Sequence, residues 1–187
     1  DYDHIGEAIN IVNNIKVDNV ILNNDKYNDL ELELINVLDK KSINHLNNIK
    51  YIMLEKYTLY FLNTNCYDNE NDNSNVIYLN YNNYKFLFMG DAGIKREKDI
   101  LNNYNISDTN FLKVGHHGSD TSSSKYFTYF INPEYSIISV GKNNRYNHPK
   151  PSVLDNLSNS KIYRTDIFGS IKIKINKNGY RIKNYSP

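Results

Sequence analysis

Short apolar runs alternate along this chain with stretches of helical period, the pattern of a layered α/β domain rather than of an all-α or all-β one. Residues 7–14 carry Ile9 and Val12 on one side and predict a short helix, and residues 17–22, rich in β-branched side chains, predict a strand. Over 28–41 the spacing of Leu30, Leu34, Ile35 and Leu38 predicts a longer helix, which Asn28 and Asp29 can cap. Strands are predicted at 59–63, 75–81 and 84–89. Asn82 and Asn83 separate the last two and tolerate the positive φ of a tight hairpin turn. Residues 66–73 read as a loop rich in Asn and Asp. Further along, a helix is predicted near 95–103 and another over 151–157, with Pro151 in its first turn. Strands follow at 111–114, 135–140, 161–164 and 170–175. Polar residues gather where these strands end.

Length and composition narrow the class. The 187 residues fit one domain with one hydrophobic core. With 40% hydrophobic and 23% charged residues the chain is not disordered, and no apolar run approaches the roughly 20 residues that cross a bilayer. A net charge of +1 excludes a globally cationic binder, so any polyanion must be held by a local patch. Cys66, the single cysteine, forms neither an internal disulfide nor a zinc framework. The abundance of Asn, Lys, Ile and Tyr fits AT-rich coding. The chain opens at Asp1 with no Met and no signal pattern, and reads as part of a longer polypeptide.

Four clusters carry candidate chemistry. In DYDHIGEA, Asp1, Asp3 and His4 precede Gly6 and a helix, and carboxylates with a neutral imidazole suit Zn, Mn or Fe. The structural alternative is an exposed helix cap. In FLFMGDAG, an apolar strand delivers Asp91 between Gly90 and Gly93, where small residues let a metal or substrate approach; an ordinary turn residue is the alternative. FLKVGHHGSDTSSS is the most specific string, placing His116 and His117 between Gly115 and Gly118 at a strand end. Two neighbouring imidazoles do not easily share one ion, so one is expected to bind metal and the other to face substrate as a proton donor or hydrogen-bonding group. SVGKNNRYNHPKPS gathers Lys142, Arg145, His148 and Lys150, either to hold a phosphate or as a solvated loop. His45, in a polar connector, reads as a surface histidine.

The order DxDH, GDA, GHHGS and N..Y.HP resembles the metallo-β-lactamase superfamily, nearest the hydrolase domain of ComEC-type competence proteins, bacterial membrane channels that take up DNA. The resemblance covers nearly the whole chain, and LKVGHHGS and ISVGKNNRYNHP are its most specific strings. It implies an α/β fold, a four-layer αββα sandwich incomplete on its N-terminal side, with the metal site at one edge between two sheets. It implies that Asp3 and His4 match the last two residues of the HxHxDH motif, that Asp91 is the bridging carboxylate, that His117 is the last histidine ligand and that His116 touches substrate. Two departures stand out. Asp1 occupies the place of the motif's second His and joins the candidate ligands. The middle His ligand has no counterpart among Asp72, Asn73 and Ser74. The set still available is Asp3, His4, Asp91 and His117, able to hold one or two Zn or Mn ions.

The expected function is metal-dependent hydrolysis of a phosphodiester, most naturally DNA, single-stranded or duplex, during bacterial DNA uptake. Asp91, His116 and His148 are the catalytic candidates. His116, Ser119, Lys142, Asn144 and Arg145 are the substrate-binding ones. The expected partners are DNA and a membrane channel domain of the parent protein, and the expected location is a domain of a cell-membrane protein on the extracellular side, or a secreted one. Two alternatives remain: a metallo-hydrolase of another ester, phosphocholine-type or lactone, and a noncatalytic module binding DNA or a partner at a degenerate site.

Overall fold

The computed structural model describes residues 2–23 and 26–186, and it divides into two compact units, Asp1–Ile49 and Lys50–Pro187. Where length alone suggests one hydrophobic core, buried side chains collect in three clusters.

In the first unit two short helices, α1 (Tyr2–Ile5) and α2 (Ala8–Asn14), precede β1 (Asn19–Ile21), α3 (Asp29–Lys40) and β2 (Asn44–Leu46). The two strands pair in parallel, with α3 as the crossover. Asn28 caps α3 in a capping box: Glu31 N–H donates to Asn28 Oδ1 at 3.0 Å and Asn28 N–H to Glu31 Oε2 at 2.9 Å. Leu34 and Leu38, one turn apart, are buried with Val12 and Leu22. His45 lies in β2 rather than in a connector, its Nε2 2.9 Å from Asp39 Oδ1.

The second unit is built on a seven-stranded sheet in the order β3 (Tyr51–Leu54), β4 (Tyr57–Phe61), β5 (Ile77–Tyr81), β6 (Tyr84–Phe88), β7 (Phe111–Lys113), β8 (Tyr135–Ile138), β9 (Lys161–Arg164). Pairings from β3 to β6 are antiparallel and those from β6 to β9 parallel. The change follows the connections. Asn82 and Asn83, at φ 50° and 66°, close the β5–β6 hairpin, whereas α4 (Ile94–Asn103), α5 (Lys125–Ile131) and α6 (Pro151–Asn156) carry the chain between parallel strands. After β9, α7 (Thr165–Phe168) leads into an antiparallel hairpin, β10 (Ser170–Asn176) and β11 (Gly179–Tyr185).

Alternation along the parallel strands supplies both faces of this sheet. Leu87, Met89, Leu112, Val114 and Ile138 point to the helices and pack with Ile100, Phe127, Ile131, Val153 and Leu157. Their neighbours Phe86, Phe111 and Tyr135 stack across β6, β7 and β8 on the other face, with ring centroids 4.6 and 5.3 Å apart. The hairpin covers that row with Ile173, Ile175, Tyr180 and Ile182. The result is an α/β sandwich, a mixed sheet flanked by helices. Among the described residues no helix is long and apolar enough to cross a membrane.

Candidate metal centre

Strands β6 and β7 are parallel neighbours, so their carboxyl ends open at one edge of the sheet, the edge at which α/β sheets bind ligands. Asp91 follows β6. His116 and His117 follow β7 in a single tight turn, Gly115–Gly118. Backbone bonds tie the two strand ends together: His116 N–H donates to the Gly90 carbonyl at 3.0 Å and Met89 N–H to the Lys113 carbonyl at 3.3 Å. The turn that carries Asp91 is held from a third segment, since Asp91 N–H donates to Ser74 Oγ at 3.0 Å and Gly93 N–H to Asp72 Oδ1 at 2.8 Å. Asp72 and Ser74, in the stretch where the resemblance would place a histidine, thus orient the carboxylate turn, while Asn73 between them exchanges hydrogen bonds with the Tyr67 backbone at 2.8 and 2.9 Å. Gly90 has φ 56°, and a Cβ there would come within 2.8 Å of Ser74 Cβ.

His116 and His117 both take left-handed backbone, at φ 45° and 55°. Consecutive non-glycine residues in that region cost about 1–3 kcal/mol each and persist where the surroundings fix them. This bend turns both rings back toward Asp91, which is buried: His117 Nε2 lies 3.9 Å from Asp91 Oδ1, and His116 Nε2 lies 3.9 Å from Oδ2. His117 Nδ1 is 2.8 Å from the Ser139 carbonyl. A carbonyl only accepts, so Nδ1 carries the proton and Nε2 presents its lone pair on the Asp91 side. His116 Nδ1 meets Thr121 Oγ1 at 3.0 Å, and that hydroxyl also meets Ser119 Oγ at 3.0 Å.

The donor set fits a divalent ion. A separation of 3.9 Å is too long for a hydrogen bond, yet two ligand bonds of about 2.1 Å to one ion span up to about 4.2 Å. A carboxylate and a neutral imidazole nitrogen match Zn or Mn. Lys113, half-buried on β7, adds a charge that the sequence reading overlooked. Burial pushes its ammonium below the usual lysine range, while Asp91 pulls it back up. The signal was present as a polar residue inside the apolar run FLKV.

The loop after β8 extends the site. His116 and His148 lie 6.1 Å apart by ring centroid, and Tyr146 stacks on His148 at 5.7 Å. The Arg145 guanidinium sits 4.7 Å over the Tyr146 ring. Burial first, then Lys150 and the neighbouring imidazoles, lowers the His148 pKa from the ordinary histidine value, and its buried Nδ1 has no hydrogen-bond partner among the described residues. Lys142 and Arg145 are exposed. Asn144 is engaged in the loop itself: its amide donates to the His148 and Gly141 carbonyls at 2.8 and 3.1 Å and accepts from His148 N–H at 2.9 Å. Ser119, also buried, serves its own turn through Thr121. In the first unit Asp3 and His4 are exposed on α1, with His4 Nε2 3.9 Å from Asp3 Oδ2. Asp1 lies outside the described residues.

No family model matches the chain. It is similar to ComE operon protein 3 of Bacillus subtilis, 28% identical over 191 residues that cover 98% of this chain and 24% of that protein. Competence protein ComA of Neisseria gonorrhoeae is 34% identical over 51% of the chain and 14% of its own length. Recombination protein 2 of Haemophilus influenzae is 33% identical over 56% and 13%. These relatives are bacterial ComEC-type competence proteins at modest identity, and the chain spans about a quarter or less of their length.

Proposed function

We propose that this chain is a divalent-metal-dependent phosphodiesterase acting on DNA in bacterial DNA uptake. The observation that supports the reading is the pairing of Asp91 with His117, whose Nδ1 donates to the Ser139 carbonyl so that Nε2 turns its lone pair to the Asp91 side. The substrate class draws its support from the relatives, one named for competence and one for recombination. Asp91 and His117 would hold Zn or Mn.

The ion, when bound, supplies Lewis acidity, lowering the pKa of water from 15.7 toward roughly 7 and offsetting charge on a phosphoryl oxygen. The chain's own groups do the rest. Lys142 and Arg145 pair with phosphate oxygens and set the diester in place. As the oxygen of water, one of whose protons passes to solvent, bonds to phosphorus and the phosphorus–oxygen bond to the leaving alcohol breaks, His116 delivers a proton from Nε2 to the departing oxygen and is reprotonated from solvent, with Nδ1 steadied by Thr121. His148, beside it, is the second candidate for that transfer. Thr121 and Ser119 keep the His116 ring from swinging out of line.

Turnover of bis-nitrophenyl phosphate, single-stranded DNA and a lactone, each with Mn, with Zn and with chelator, tests the reading. Metal-dependent cleavage of the first two, lost in Asp91→Asn, is expected. Turnover of the lactone alone, or DNA cleavage indifferent to chelator, would overturn it.

A further inference from the structure

The C-terminal hairpin shows an alternation that the site does not use. Ile171, Ile173, Ile175, Tyr180 and Ile182 turn toward the sheet and are half-buried, while Lys172, Lys174, Arg181 and Lys183 are exposed on the outward face. The register sets like charges directly opposite one another, Lys172 against Lys183 and Lys174 against Arg181. Cross-strand pairs of like charge destabilise a ribbon. Residues 170–185 hold five of the chain's 22 basic residues and none of its 21 acidic ones, so the remainder of the chain is net −4. A merely solvated face would intersperse both signs. Among the described residues none of these five cations has an acidic partner within salt-bridge distance.

We infer that the outward face of the β10–β11 hairpin binds the phosphate backbone of nucleic acid, a surface that deepens the proposed function and rests on it for the identity of the polyanion. Same-face neighbours along a strand are about 6.8 Å apart and paired strands about 4.8 Å. Four cations are thereby crowded into one small patch, and Lys177 extends it at the tip. Such a patch faces a duplex bearing one negative charge per about 1.7 Å of axis. The patch also points along a useful direction. Its Ser170–Tyr185 end follows α7, where Thr165 Oγ1 bonds both the N–H and the carbonyl of Val140 at 2.8 Å, next to the Lys142–Arg145 loop. Its tip lies by Tyr84, at the start of β6 and the far edge of the sheet. The cations therefore lead away from the edge that carries Asp91 and His117. Tyr185, exposed on the same face at the near end, offers a ring on which a base can stack. Between the two cation pairs the outward face has no apolar side chain to enter a lipid interface, which favours nucleic acid over an anionic membrane.

The test measures anisotropy of labelled single-stranded and duplex 30-mers with the whole chain and with a variant carrying Lys172→Gln, Lys174→Gln, Arg181→Gln and Lys183→Gln. Four phosphate contacts contribute a log–log salt slope of about −2.8 on single strands and about −3.6 on duplex. Wild-type affinity for single strands is expected to fall about 50-fold more than that of the variant between 50 and 200 mM salt. A variant with Lys172→Arg, Lys174→Arg and Lys183→Arg is expected to bind as wild type does, which separates lost charge from lost folding. Equal slopes for wild type and the Gln variant would overturn the inference, as would charge-dependent binding to phosphatidylglycerol vesicles with none to either DNA. Bis-nitrophenyl phosphate turnover, unaffected by the hairpin, reports separately on the proposed hydrolysis: DNA binding lost in the Gln variant of a chain with no turnover would leave the surface standing and remove the activity.

Discussion

Glu97 lies one helical turn into α4 with 1% of its surface exposed, and its carboxylate gathers three donors from the loop that begins with His116. Ser123 N–H donates to Oε1, and Ser124 donates to Oε2 through its N–H at 3.0 Å and its hydroxyl at 2.7 Å. Glu97→Ala would strand the buried Ser123 N–H and the half-buried Ser124 N–H, at about 1–3 kcal/mol each with the second at the low end. Relief of burying a carboxylate offsets part of that, leaving a net loss of about 2–4 kcal/mol. Glu97→Gln retains one acceptor and is expected to lose about 1–2 kcal/mol. Burial holds the Glu97 carboxyl above the usual carboxylate range, against the bonds from Ser124 and Ser123. A carboxyl raised on folding contributes stability below its unfolded pKa of about 4.3, and that contribution is lost as pH rises through the folded value. The deficit of Glu97→Gln relative to wild type should therefore be largest near pH 4 and narrow toward pH 8. Urea unfolding followed by circular dichroism measures both effects. A Glu97→Ala midpoint equal to wild type, or a deficit that widens with pH, would refute the assignment of this carboxylate as the clamp on the loop.

Ser74→Ala removes the acceptor for Asp91 N–H, and is expected to weaken divalent-metal binding about tenfold with little change in the urea midpoint; unchanged metal affinity would release Ser74 from that role. Gly118 sits at φ 83° with Pro149 Cβ 2.5 Å from where a Cβ would be. Gly118→Ala should accordingly cost more than about 2 kcal/mol, read as a lowered melting temperature, and an unaltered melt would mean that the turn relaxes freely.

Much of the strand skeleton is legible from the chain because local chemistry and tertiary packing agree there. Asn82 and Asn83 take the left-handed turn they invite, Asn28 caps α3, Pro151 opens α6 and β9 spans 161–164 as its pattern suggests. Helix α5, KYFTYFI, was not legible: its aromatic and β-branched residues favour a strand, and it is the Ser124 hydroxyl accepting from Phe127 N–H, with left-handed Asn132 at the other end, that frames a helix. β3, four residues with no alternation, and β11, whose run is broken by Arg181, Lys183 and Asn184, are recognised by their pairing partners rather than by their own pattern. The string GHHGS carries the two candidate histidines, and GDA the candidate carboxylate. What it did not carry was the left-handed bend at His116 and His117, or the reach of Asp72 and Ser74 across 17 to 21 positions to hold the Asp91 turn. Those are properties of two strand ends brought together by parallel pairing, and no local window contains them.

Calorimetric titration of Mn and of Zn into wild type, Asp91→Asn, His117→Ala and His45→Ala bears most directly on the site. Wild type and His45→Ala are expected to bind one or two equivalents with equal affinity, and Asp91→Asn and His117→Ala to lose at least about 100-fold. Undiminished binding in both of those variants would mean that the paired strand ends of β6 and β7 hold no cation.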